Sequence, residues 1–245
     1  MPAPSKVAAT ILLTRPQAAS ERFAARLKGL AVVISPILRI VPVDHDGAAL
    51  AAARGLVFTS EHAVAAAGPG RGRVAYCVGP RSGAVARAAG FQVIEGPGDA
   101  IRLEPILQAA LEQGIELIHP HGRHIARDLP VSGMVVYDQM PVPLNDRACA
   151  LLNDPAARVI LPLFSPRSAT LLAQAAQDAV QGGAVQGAGA ALELVAISPA
   201  AAAAWSAAWD GPALPCRVAA TPDADGLLAP LLDVAGRGTN PFTMG

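Results

Sequence analysis

The chain has 245 residues, 52% of them apolar but only 4% aromatic, and its 19 basic and 19 acidic residues cancel to zero net charge. Proteins that read nucleic acid or an anionic membrane carry a strong basic excess, which neither half of this sequence shows, and a mean hydropathy of +0.39 excludes a disordered chain. No apolar run is clean enough to span a bilayer: the best, Ala184 to Trp205, is broken by Gln186, Glu193, Ser198 and Pro199.

The first sixteen residues lack the apolar stretch and cleavage site of a secretory signal. Short apolar runs then recur, each ending in a small polar, Gly or Pro element and followed by an Ala-rich stretch of helical length. In order, the predicted strands are Ile11-Leu-Leu, Ala31 to Ile34, Leu56-Val-Phe, Val74 to Val78, Phe91 to Ile94, Ile115 to Ile118, Met134 to Tyr137, Ile160 to Phe164, Leu192 to Ile197 and Arg217-Val-Ala-Ala. A helix is predicted from about Gln17 to Lys28. Apolar runs without polar alternation read as strands buried on both faces, and strands alternating with helices give a covered parallel sheet. The class is α/β. Gly182 to Ala191 reads as a flexible loop and Gly236 to Gly245 as a frayed tail. Cys77, Cys149 and Cys216 are an odd number without a CxxC and read as buried free thiols of a reducing cytosol, so a soluble cytoplasmic protein is expected.

An internal repeat organises these elements. Leu56-Val-Phe-Thr-Ser60 resembles Leu163-Phe-Ser-Pro166, Val78-Gly-Pro-Arg-Ser82 resembles Ile197-Ser-Pro-Ala-Ala201, and Gly98 to Leu103 resembles Pro222 to Leu227, in the same order. The middle of the chain continues with a further strand–helix–strand passage that the C-terminal part lacks, and the N-terminus supplies a passage of that form. Two similar α/β domains result: residues 1–36 plus 144–240, assembled from both ends, and 44–136, continuous. Residues 37–43 and 137–143 cross between them, extended and Pro-punctuated, and are expected to pair as a two-stranded β-ladder.

Four junctions share a design: Phe58-Thr59-Ser60, Val78-Gly79-Pro80, Phe164-Ser165-Pro166 and Ile197-Ser198-Pro199 each put a small residue at a strand's carboxyl end. There a hydroxyl caps the next helix and Pro fits its first turn, while free backbone N–H groups at the sheet's carboxyl edge suit an anion. Four such junctions in two facing domains favour a shared anion site over capping alone. His119, His121 and His124 in HPHGRH follow a predicted strand as a loop cluster, expected to be exposed; their spacing fits no zinc pattern, so no metal is expected. Gly122 in that loop suits close approach of backbone to a ligand. Gly68-Pro-Gly-Arg-Gly72 precedes a strand and reads as a loop, and neither a phosphate-binding loop nor a nucleophile elbow is present. Tyr137 begins the second crossing, with its phenol expected to face the interdomain cleft; hinge packing is the plainer reading.

Leu12-Leu-Thr-Arg-Pro16, Leu56-Val-Phe-Thr-Ser-Glu-His-Ala-Val64, Val78-Gly-Pro to Gly90-Phe91, Val136-Tyr137 before Pro141-Val, Phe164-Ser-Pro-Arg-Ser168, Ile197-Ser-Pro and Thr221-Pro-Asp to Leu227 together resemble uroporphyrinogen-III synthase over nearly the whole chain. The resemblance implies two doubly wound, flavodoxin-like (HemD-like) domains joined by a two-stranded ladder. It implies a cytoplasmic, monomeric lyase of haem and other tetrapyrrole biosynthesis without cofactor, nucleic-acid or membrane partner. Its substrate would be hydroxymethylbilane, cyclised with inversion of ring D and loss of water. By the same resemblance Tyr137 assists departure of the hydroxyl, and Thr59, Ser60, Gly79, Ser82, Gly122, Ser165 and Ser198 bind acetate and propionate side chains through hydroxyl or backbone N–H. Arg15 matches the arginine of the first motif and would pair with a substrate carboxylate or form a structural salt bridge. Ser198, Ala200 and Ala201 depart from the family's Gly followed by Thr residues. The competing reading is a non-catalytic two-domain hinge protein closing on a small anion; a nucleotide-binding α/β protein is disfavoured by the missing glycine fingerprint.

Overall fold

The computed structural model describes residues 8–125, 127–181 and 189–236. The loop predicted at 182–191 lies outside them up to residue 188, as does the tail beyond residue 236. The chain divides into two compact units, residues 1–39 with 141–245 and residues 40–140.

The first unit opens with β1 (Ala9–Leu13), α1 (Gln17–Ala24) and β2 (Ala31–Ile34), and the chain leaves it along β3 (Leu38–Pro42). The second unit continues with α2 (Gly47–Ala52), β4 (Gly55–Phe58), β5 (Val74–Cys77), α3 (Pro80–Ala88), β6 (Gln92–Glu95), α4 (Ala100–Glu112), β7 (Leu117–Gly122) and β8 (Ser132–Pro141). The chain then completes the first unit with α5 (Asp146–Asn153), β9 (Arg158–Leu163), α6 (Pro166–Gln181), β10 (Ala191–Ala196), α7 (Pro199–Ala208), β11 (Cys216–Val218) and α8 (Leu228–Gly236).

The first unit's sheet has the order β11-β10-β9-β1-β2, all pairs parallel. Ile11, Leu12 and Leu13 are all fully buried because successive side chains of β1 enter different cores. Leu12 packs with Leu161, Leu194, Leu172 and Trp205, whereas Ile11 and Leu13 pack with Ile160, Val195, Phe23 and Leu231. Each such leucine or isoleucine contributes about 2 kcal/mol by leaving water.

The second sheet has the order β3-β8-β7-β4-β5-β6, with the β8–β7, β7–β4, β4–β5 and β5–β6 pairs parallel. It too has a core on each face: Leu56, Phe58, Phe91 and Val136 on one, Val57, Tyr76, Leu103 and Leu107 on the other. Setting β9, β10, β11, β1 and β2 against β4, β5, β6, β7 and β8 gives every strand of the first sheet a counterpart at the same place in the second, with β3 left over. Val43 N donates to Val136 O at 3.1 Å and Val142 N to Ile37 O at 3.0 Å. One residue number rises as the other falls, so β3 runs antiparallel to β8.

Burial on both faces does not hold for every strand. The outermost strands β6 and β11 are largely exposed because each has a neighbour on one side only. Cys216, which opens β11, is therefore exposed; Cys149 is half-buried, and only Cys77 of the three thiols is buried as expected. The strand predicted to end at Ile118 begins at Leu117 and runs to Gly122, so His119, His121 and Gly122 belong to a strand and not to a loop. Alternation of Ile118, His119, Pro120 and His121 hid this, since neither His nor Pro signals a strand interior.

Candidate functional site

In a parallel sheet all strands end on the same edge, and each unit gathers its predicted site residues there. In the second unit Thr59 and Ser60 follow β4, Gly79 follows β5 and Gly122 ends β7. Tyr137 lies within β8 but pairs with Gly122, across a register shift between His121 and Gly122, which brings it level with that edge. In the first unit Arg15 follows β1, Ser165 follows β9 and Ser198 follows β10.

Three of the four junctions start α-helices. Gly79 caps α3 with Pro80 in the first turn, and its φ of −168° is extended backbone open to any residue. Ser165 Oγ accepts from Ser168 N at 3.2 Å and Ser198 Oγ from Ala201 N at 3.3 Å. The fourth departs from expectation. Ser60 accepts from His62 N at 3.3 Å, but it leads into two short 3₁₀ turns, Glu61–Ala63 and Ala65–Ala67, closed by Gly68 at φ 65°. The seven residues between Ser60 and the Gly-Pro-Gly stop hold these two turns and no α-helix.

Tyr137 is 5% exposed. Its ring lies over Gly122: a Cβ built there would come within 2.5 Å of the ring and 2.9 Å of the phenol oxygen. The glycine expected to admit a ligand therefore admits the Tyr137 ring. His62 meets the same ring edge-on, with centroids 5.9 Å apart. Next to it, Arg123 Nε donates to Asp138 Oδ2 at 2.9 Å and Arg123 N to Tyr137 O at 2.9 Å, which tie the end of β7 to β8. Desolvation pushes the Asp138 carboxyl up, but the backbone N–H of Gln139, Arg123 and the neighbouring His124 together hold it below its usual range.

The Thr59 hydroxyl, expected to meet substrate, already has a protein partner: its Oγ1 lies 2.8 Å from His119 Nε2. His119, expected to be exposed, is 3% exposed. Burial, with a smaller effect of His121, pushes its pKa down to about 4, so the ring is neutral near pH 7. His121 Nδ1 is 2.8 Å from the Gly122 carbonyl, which can only accept, so Nδ1 carries the His121 proton. Ser82 is buried, and its hydroxyl donates to the Gly79 carbonyl at 3.1 Å, stabilising the turn it sits in. Sequence reasoning missed His62 and His119 as neighbours of the site. The signal available was the i, i+2 spacing of His119 and His121, which places both on one strand face.

On the first unit's edge the Arg15 guanidinium lies 4.7 Å above the Phe164 ring, which meets Phe23 edge-to-face at 5.2 Å. Arg15 thus meets the face of an aromatic ring as a cation. Among the described residues no cluster of His, Cys, Asp or Glu could hold a metal ion, and no helix is long and apolar enough to cross a membrane.

A family model described as uroporphyrinogen-III synthase HemD matches residues 19–229. Among solved structures, wild-type uroporphyrinogen III synthase from the extremely thermophilic bacterium Thermus thermophilus is 17% identical with a TM-score of 0.42, over 95% of this chain and 100% of that one. A mutant selenomethionine form of the Thermus enzyme is 16% identical with a TM-score of 0.48, over 94% and 99%. A further structure of Thermus thermophilus uroporphyrinogen III synthase is 14% identical with a TM-score of 0.37, over 93% and 99%. A search of curated proteins returns no match.

Proposed function

The chain belongs to the uroporphyrinogen-III synthase family, matched over residues 19–229, and on that premise we propose how its own residues carry out the reaction. Members of the family are cyclising lyases of porphyrin and haem biosynthesis, and this chain is one of them; a non-catalytic anion binder is not favoured.

The substrate is hydroxymethylbilane, a linear tetrapyrrole bearing acetate and propionate side chains. Tyr137 donates a proton or hydrogen bond to the terminal hydroxyl, the C–O bond breaks, and water leaves an azafulvenium electrophile on ring A. The substituted carbon of ring D attacks it to form a spiro intermediate. Rearrangement inverts ring D, and loss of the ring proton restores the proton given to the hydroxyl, so water is the only net product besides the macrocycle. The bilane also closes without help to the symmetric isomer, so the protein's contribution lies chiefly in holding ring D for attack through the more crowded carbon.

The packing of Tyr137 supports this role. A phenol locked by Gly122, His62 and the β8 backbone has few orientations to lose when the substrate arrives. Carboxylates are taken by Thr59, Ser60 and the backbone N–H groups following Gly79 on the second unit's edge, and by Ser165, Ser198 and Arg15 on the first unit's. Ser82 and Gly122 shape the edge that these groups occupy. The two similar units, their crossing strands and a cytoplasmic, monomeric, cofactor-independent enzyme complete the proposal. The family match carries it. Hydroxymethylbilane consumption should rise in proportion to added protein above the spontaneous rate, and consumption independent of protein would contradict it.

A further inference from the structure

The Thr59 hydroxyl has one proton and the site asks that it point outward, yet its oxygen lies 2.8 Å from the His119 Nε2. That bond can run either way. If Thr59 donates into the ring, its lone pairs face the substrate and repel a carboxylate. If the ring donates from Nε2–H, the threonine proton is left for an outward acceptor. The two arrangements are one tautomer apart in a neutral imidazole, so the identity of the proton-bearing nitrogen decides whether Thr59 attracts or repels an anion.

His119 is held in place and neutral. It sits on β7, whose backbone is fixed between β4 and β8, and is 3% exposed. Its ring centroid is 4.9 Å from that of His121, whose own proton is committed to the Gly122 carbonyl. Burial keeps the ring neutral with a pKa of about 4, so it has one proton to place.

We infer that His119 is a positioning residue: it donates from Nε2–H to Thr59 Oγ1 and so holds the Thr59 hydroxyl as an outward donor to a substrate carboxylate. This rests on Thr59 being a carboxylate contact, as proposed above. His119 itself touches no substrate.

Steady-state formation of the type III isomer from hydroxymethylbilane, measured on Thr59→Val, His119→Leu and the double variant, tests it. Each single substitution should raise KM about tenfold, the loss of roughly one hydrogen bond, with kcat within about twofold. The double variant should be no worse than either single one. His119→Gln, whose amide can still donate, should stay within about threefold of the parent KM. A parental KM in folded His119→Leu, or a double variant whose KM rises by the product of the single effects, overturns the inference and leaves the Thr59 contact standing. A parental KM in Thr59→Val removes the contact and the inference together, while the family's activity stands. Should His119→Leu fail to fold, the imidazole ¹⁵N shifts of the unaltered protein with uroporphyrinogen III bound give the same answer: a proton on Nε2 supports the inference, and a proton on Nδ1 overturns it.

Discussion

Tyr137 and Gly122 form one unit, because the phenol occupies the space a Cβ would need. Removing the hydroxyl alone leaves that packing intact. Tyr137→Phe should therefore keep the parent's melting temperature while slowing type III formation by about a hundredfold, the usual size of a general-acid contribution; an unchanged rate in a competition with spontaneous closure would remove Tyr137 from the mechanism. His119 makes a second statement testable without substrate. An unfolded histidine takes its proton near pH 6.5 and the folded ring at about 4. Between those values the unfolded chain binds more protons, so stability falls as pH drops from 6.5 towards 4, by up to ~3 kcal/mol. Urea titrations should show that loss in the parent protein and a shallower one in His119→Gln; equal slopes would mean the ring is not held neutral.

Helix or strand identity is plain in the sequence where apolar runs are continuous, as at Ile11-Leu-Leu and Val57-Phe58, since such runs need a core on both faces. Where burial depends on tertiary neighbours the signal fails. β7 passes through two histidines and a proline, and only its place between β4 and β8 makes that stretch a strand. The turn after Ser60 is capped like the helices after Ser165 and Ser198 but continues as two 3₁₀ turns ending at Gly68. The hydroxyls and glycines of the site are legible as small residues after strands. Their partners are not, because the contact between Thr59 and His119 crosses sixty positions of sequence that no local pattern connects. Arg73 is a similar case. It follows the Gly68-Pro-Gly-Arg-Gly72 loop in sequence, and its Nε donates to Gly70 O, Nη1 to Leu50 O and Ala51 O, and Nη2 to Ala67 O and Pro69 O. Its guanidinium also stacks 5.2 Å from the centre of the Phe91 ring. This one side chain fastens the ends of α2 and of the second 3₁₀ turn to β5. Arg73→Met should lower unfolding free energy by on the order of 3 kcal/mol, read from urea midpoints; a change below about 0.5 kcal/mol would show the carbonyls are satisfied without it.

A neutral chain that acts on a polycarboxylate needs another source of positive potential. On the proposed reading, the helix starts at Gly79, Ser165 and Ser198 would supply it as oriented N–H groups, which can hold an anion without net charge. Binding that rests on oriented amides and shape is screened less than binding to a basic patch. KM should therefore change by less than about threefold between roughly 50 and 500 mM salt, and a tenfold or steeper rise would point to long-range steering instead. The same economy explains why so much of the molecule is scaffold: two sheets of matching strand order present small polar groups on a shared kind of edge, and the reacting bonds belong to the substrate. On the proposed mechanism this scaffold decides which carbon of ring D is attacked. Incubating hydroxymethylbilane with the protein, oxidising the products and separating the uroporphyrin isomers measures that choice directly. The type III isomer should dominate and its share should rise with protein concentration; type I alone at every concentration would contradict the account.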